Sequence, residues 1–505
     1  MPRKLIFAVI AIVLSLLALE AVARLVEFKT GRNALSLEPS EGWQTAFFSR
    51  FFDWHEPDPE LLWRFRANLQ NPLIKTNSSH LLGDELPIKK TRNQFRILLL
   101  GDSSPVGLGL ISRKQAFGEL LRHFLQLNLA GKAEIELVNA AVSGYSSEQI
   151  IHFLRNKGWS YQPDAVILYC GNNDASISGE YSDRELLQKQ KLISLRKLLQ
   201  GSAFYRFLQS LFFHREKENV APAQPLKPRV SSDEFEENLR LIKTECRQRL
   251  IPLIILKPPA PRLWPAGLQF RVFTHLTGRT GETIIPQPLA AILGQNISYC
   301  LDSNLFHQLY GDGDFFTRAV FQSAFTENLP AAAVKKMYED SLRQEQNNPL
   351  LWNNLGVAFW RNREFIQAEH CLITARQLYA HENSAADNFL RLSGGSPILY
   401  NIGINHLSQS SLEALADSAS LPFIYLDSAL QADYFSLRIK QKYLDAIDRL
   451  DTVGVMILDL PALFHSRGGE KLFIDHCHPT AEGHRLIAEL LTDKILASGI
   501  IKASP

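Results

Sequence analysis

Four short apolar runs constrain this chain more than any other feature. They are Phe95–Leu100 (FRILLL), Ile135–Asn139 (IELVN), Ala165–Cys170 (AVILYC) and Ile251–Leu256 (IPLIIL). Each reads as a strand. Between them lie segments with helical spacing: Gln115–Leu129 with Phe117, Leu120, Leu121 and Phe124, then Glu148–Asn156, then Phe235–Arg249. A half-exposed strand alternates apolar and polar residues, whereas a near-continuous apolar strand is buried on both faces. Such strands alternating with helices predict a parallel sheet covered on both sides.

The order breaks after about Leu263. Ala331–Gln344, Pro349–Ala380 and Ser384–Leu392 read as helices. Apolar runs return at Pro422–Leu426 and Val453–Leu458, both read as strands, and a last helix runs from Thr480 to about Ala497. The sheet domain is therefore expected to be split around a helical insertion. Within Pro349–Ala380 the spacing of Trp352, Leu355, Gly356 and Phe359, then Ala368, Leu372 and Ala375, resembles a tetratricopeptide repeat. Only one repeat is visible, and a stable array needs about three. An isolated helical pair packed on the main domain is the plainer reading.

At the N-terminus two basic residues, Arg3 and Lys4, precede the apolar run Leu5–Leu19. That is the layout of a secretion signal, either cleaved near Ala21-Val22-Ala23 or retained as an anchor. The apolar pattern continues to Phe28, which favours an anchor, with the rest of the chain outside the cytoplasm. The segments expected are an anchor at 1–28, a juxtamembrane linker with short strands at 29–94, a first sheet part at 95–264, the helical insertion at 265–395 and a second sheet part at 396–505. Lys+Arg number 54 and Asp+Glu 52, a net charge of +2, which argues against a nucleic-acid partner. The five cysteines are scattered without a C-x-x-C pair, so a cysteine zinc site has no support.

Chemistry is expected at the C-terminal strand ends, where open α/β sheets bind ligands. Ser103 in Gly101-Asp102-Ser103-Ser104 follows the first strand and enters a turn. Taken alone this is a common turn sequence. Gly144 follows the second strand and can offer a bare backbone N–H. Asn173, in Gly171-Asn172-Asn173-Asp174, can donate a side-chain N–H to an oxyanion. Asp475 and His478 stand three apart before the last helix, where a carboxylate can fix an imidazole tautomer. His476 and His478 have no neighbouring cluster that would make a metal site. His484 reads as a structural histidine at a helix start, and Cys477 as a small buried side chain holding its turn.

Taken together and in this order, the four blocks resemble the SGNH (GDSL-type) hydrolase superfamily over about residues 95–260 and 400–498. The resemblance implies a flavodoxin-like three-layer α/β/α sheet. It implies Ser103 as nucleophile, His478 as general base and Asp475 as its orienting carboxylate. The Ser103 N–H, Gly144 and Asn173 would form the oxyanion hole. No metal or organic cofactor is implied. Ser104 departs from a position where the family often has leucine. Ile74–Asn77, with the anchor, is similar to membrane-tethered bacterial members. The expected activity is hydrolysis of a small acyl ester, carried on a cell-envelope glycan or lipid. Two other readings stay open. One is an O-acyltransferase passing the acyl group to a sugar hydroxyl, and the other is a non-catalytic binding module whose helical insertion takes a protein partner.

Overall fold

The computed structural model describes, with short breaks, residues 54–189, 227–262, 331–381, 395–410, 420–432, 437–474 and 477–501, together with 20–22, 24 and 202–203. The chain opens with an antiparallel hairpin, β1 (His55–Asp58) and β2 (Leu62–Phe65), paired His55 to Phe65. Asp58 closes its turn by accepting the N–H groups of Glu60 and Leu61. Leu61, Trp63 and Phe65 are buried against the main core. The short strands expected in this stretch are thus present as a hairpin packed on the main domain.

The centre is a five-stranded, all-parallel sheet. Its strands are β3 (Gln94–Gly101), β4 (Glu134–Asn139), β5 (Ala165–Tyr169), β8 (Leu253–Lys257) and β9 (Val455–Asp459), in the spatial order β4-β3-β5-β8-β9. A small antiparallel pair, β6 (Ile177–Gly179) and β7 (Lys227–Pro228), lies outside it. The parallel sheet expected from the apolar runs is present, and its order is the second-first-third-fourth-fifth arrangement of flavodoxin-like folds.

Strand β3 shows why both faces are covered. Its side chains alternate, as the period-2 geometry of a strand requires. Ile97 and Leu99 join one core with Phe117, Leu121 and Leu125 of α2 (Phe117–Asn128) and with Ile487, Leu491 and Ile495 of the last helix. Leu98 and Leu100 join the other core with Ile150 and Leu154 of α3 (Ser147–Asn156) and Phe235, Leu239 and Ile242 of α4 (Ser232–Gln248). Burying each such aliphatic side chain contributes roughly 1.5–3 kcal/mol. Capping boxes start α3, where Ser146 and Gln149 satisfy each other's turn, and α4, where Ser231 and Glu234 do the same.

Between the neighbouring strands β8 and β9 the chain makes a helical detour. It contains α5 (Ala331–Leu342), α6 (Pro349–Arg361), α7 (Phe365–His381), α8 (Ser396–Gln409) and α9 (Leu421–Ala432). Helices α6 and α7 cross where Gly356 meets Leu372; a Cβ on Gly356 would lie 2.8 Å from Leu372 Cγ. Helices α8 and α9 repeat the device, with a Cβ on Gly403 falling 2.9 Å from Leu426 Cγ. The expected strand at Pro422–Leu426 is therefore corrected to the helix α9. A short apolar run fits either element, and burial of Phe423, Leu426, Ala429 and Leu430 on one face, with Ile424 exposed, is helical. The helix expected at Ser384–Leu392 lies outside the described residues.

The chain then passes through α10 (Gln441–Asp448), β9, α11 (Leu460–Arg467) and α12 (Ala481–Ser498). The expected transmembrane helix at 1–28 lies almost wholly outside the described residues; among those that are described, no helix is long and apolar enough to cross a membrane.

Candidate active site

Three loops leave the sheet at the carboxyl ends of β3, β4 and β5, around the point where strand order reverses from β4-β3 to β3-β5. The loop after β3 begins at Gly101, which has no room for a side chain. A Cβ there would sit 2.6 Å from the Tyr169 carbonyl oxygen of β5 and 2.6 Å from Pro105. Asp102 then caps the short helix α1 (Ser103–Val106), its Oδ1 accepting the Ser104 N–H at 2.9 Å, and Gly107 ends it in the left-handed region. This turn sets Ser103 at the first position of a helix and leaves the residue 8% exposed.

His478 arrives from the other end of the chain. The stretches on either side of its loop are paired: the Ile474 N–H donates to the His478 carbonyl and the Thr480 N–H donates to the Leu472 carbonyl, both at 2.8 Å. Thr480 then caps α12. His478 Nε2 lies 2.7 Å from Ser103 Oγ, although the two residues stand 375 positions apart in sequence. The Cys477 sulfur is 3.5 Å from His478 Nδ1 and is buried. Asp475 and His476 lie outside the described residues.

Gly144 stands in the loop after β4 with φ +80, a conformation open to glycine at little steric cost. Asn173 is buried, and its side-chain N–H donates to the Tyr145 carbonyl at 3.1 Å. The structure therefore ties Asn173 to the Gly144 loop. Among the described residues, neither the Ser103 nor the Gly144 backbone N–H donates to a protein acceptor.

Two buried carboxylates underlie these loops. Asp102 is pushed up to about 7, chiefly by burial, with the Ser104 N–H pulling the other way. Asp174 is pushed up to about 6 by burial, opposed by the hydroxyl and N–H of Ser147, at 2.5 and 2.9 Å. His484 has a separate task. Its Nδ1 accepts the Phe117 N–H at the start of α2, its ring stacks on Phe117, and burial lowers it to about 3, so it stays neutral.

Sequence reasoning missed a buried set beside Gly144. The Arg229 guanidinium pairs with Asp183, donates to the Gly144 carbonyl at 2.5 Å and donates to Gln149 at 2.7 Å. Asp183 in turn accepts the Ser146 hydroxyl at 2.7 Å. The only sequence signal was an arginine just before a helix start, which is ordinary for a surface loop.

Residues 97–203 match the GDSL-like lipase/acylhydrolase family. No curated protein sequence matches the chain significantly. Among solved structures, the chain is similar to an alpha/beta hydrolase enzyme from the metagenome of Lake Arreo, with 16% identity over 33% of this chain and 61% of the other, at a TM-score of 0.20. It is similar to a psychrotrophic esterase from Pseudoalteromonas, with 16% identity over 32% and 60%, TM-score 0.20. It is also similar to a lipase/acylhydrolase from Enterococcus faecalis, with 19% identity over 35% and 62%, TM-score 0.20. The chain spans about three-fifths of the length of these structures. The family match stops short of the helical detour and of His478. On residues 97–203, the chain carries a GDSL-like lipase/acylhydrolase domain.

Proposed function

We propose that this chain is a serine esterase that cleaves a small acyl ester through an acyl-enzyme. The observation that carries the reading is the 2.7 Å approach of His478 Nε2 to Ser103 Oγ at the carboxyl edge of the sheet. A serine hydroxyl is a weak nucleophile until an adjacent base takes its proton. His478 Nε2 removes the Ser103 proton as Oγ attacks the ester carbonyl carbon. The proton then passes to the departing alkoxide, and water repeats the sequence to release the acid. For Nε2 to accept, the ring proton sits on Nδ1, and Asp475 is the carboxylate assigned to hold it there.

The negative charge that forms on the carbonyl oxygen needs fixed donors in a site closed to water. The Ser103 and Gly144 N–H groups and the Asn173 side chain are assigned that role. The acyl carrier is proposed to be an envelope glycan or lipid, from the basic and apolar N-terminal run Arg3–Leu19 together with the family.

Covalent labelling with a fluorophosphonate, mapped by mass spectrometry, tests the reading without knowledge of the substrate. The expected result is a single label on Ser103, slowed at least a hundredfold in His478→Ala, within the range general-base catalysis supplies. A folded protein that takes no label, or takes it elsewhere, overturns the reading. An O-acyltransferase would use the same residues. Faster turnover of an activated ester on adding a sugar acceptor, with acylated sugar as product, would replace hydrolysis by transfer.

A further inference from the structure

The loop that carries Gly144 is gripped at three consecutive carbonyls by side chains from three distant segments. Trp63 Nε1 donates to the Ser143 carbonyl at 3.1 Å, Arg229 to the Gly144 carbonyl and Asn173 to the Tyr145 carbonyl. The first of these grips has a geometric consequence. The Ser143 C=O and the Gly144 N–H belong to one planar trans peptide, in which they point in opposite directions. A donor that holds the carbonyl on one side therefore aims the N–H to the other. The indole does this from β2, and the clasp is reciprocal, because the Tyr145 hydroxyl donates to the Trp63 carbonyl at 2.8 Å. Trp63 is buried, its ring stands edge-on to Tyr145, and the Arg229 guanidinium lies over it at 5.1 Å.

We propose that Trp63 is a positioning residue for the oxyanion hole: its indole N–H fixes the Ser143–Gly144 peptide so that the Gly144 N–H faces the oxyanion formed at Ser103. The N-terminal hairpin thereby belongs to the catalytic apparatus, although it precedes the family match at 97–203. The role rests on the esterase reading above. Glycine at 144 adds to the need for such a device. With no Cβ, glycine takes φ of either sign at similar cost, and here it sits at φ +80, so an external donor selects the orientation of the peptide before it.

The test is Trp63→Phe in the full chain, which keeps an aromatic ring beside Tyr145 and Arg229 and removes the N–H together with part of the buried indole. Turnover of p-nitrophenyl acetate is measured beside thermal unfolding, and a crystal structure of the variant is solved. Removing an oxyanion donor outright slows kcat by about 10²–10³. Misaiming one is expected to slow kcat about tenfold in protein that is fully folded at the assay temperature, with KM within twofold, a lowered unfolding midpoint from the cavity left by the smaller ring, and a rotated Ser143–Gly144 peptide. Equal kcat in the variant, or an unmoved peptide, overturns the proposal while leaving the esterase reading intact. A fall in kcat that tracks loss of folded protein also overturns it. A wild-type protein that neither turns over the ester nor takes the fluorophosphonate label overturns the esterase reading, and this role with it.

Discussion

The carboxyl edge of the sheet and the helical detour between β8 and β9 use the same material in opposite ways. At the sheet edge, a glycine permits a close backbone approach and polar groups are buried beside Ser103 and His478. Gly101 lets β3 pass against the Tyr169 carbonyl, and the polar side chains of Asp102, Asn173 and Asp174 are buried. In the detour, Gly356 and Gly403 do no more than let two pairs of helices touch, with leucines filling the space. One region keeps polar groups buried away from water, and the other optimises apolar contact. The difference teaches that a glycine or a buried polar residue gains meaning from what lies opposite it.

The largest effect expected is at the sheet edge. Asn173→Ala should lower kcat on an activated ester by about 10²–10³, equivalent to roughly 2.7–4 kcal/mol of transition-state stabilisation. It also frees the Tyr145 carbonyl, so unfolding should be measured alongside. A kcat within threefold of wild type would remove Asn173 from the oxyanion hole and erase the functional side of the comparison.

A smaller effect is expected in the detour. Gly356→Val places carbon within about 3 Å of Leu372, and overpacking of this kind costs about 1–3 kcal/mol. Urea unfolding should show that loss while kcat/KM on a small ester stays unchanged. If kcat/KM falls with stability, the helical segment shapes the site, and the two regions are one functional unit.

The mildest expectation concerns pH. Asp102 and Asp174 have folded-state values of about 7 and about 6, above their ordinary 3.8. The folded protein therefore holds protons that the unfolded chain has released. Their contribution favours folding most below about pH 4 and is lost as pH rises through 6 and 7. In urea titrations at pH 5 and pH 8, Asp174→Asn should narrow the stability difference between the two. An unchanged or wider difference would mean that Asp174 is ionised throughout, and that its Ser147 bonds outweigh burial.

Much of the sheet was legible because burial on both faces leaves a plain mark on sequence: β3, β5 and β8 are apolar almost throughout, and Ser103 and Asn173 stand shortly after β3 and β5. The run at Pro422–Leu426 misled because five apolar residues carry no period of their own; the helical face appears only when Ala429 and Leu430 are included with Phe423 and Leu426. Trp63 and Arg229 were illegible for a different reason. Each holds a backbone carbonyl of the Gly144 loop, a group that leaves no trace in residue identity, and the side-chain partners of Arg229, Asp183 and Gln149, lie 46 and 80 positions away.

By itself, the sequence determined the strands, their burial on both faces and the order of the reactive blocks. Local spacing and hydrophobic period are sufficient for those. Only the tertiary structure decided that Ser103 and His478 meet across most of the chain, and that the Gly144 loop is held by residues from three segments. Those contacts depend on strand order and on loop closure over long separations, and neither is a property of any short stretch of residues.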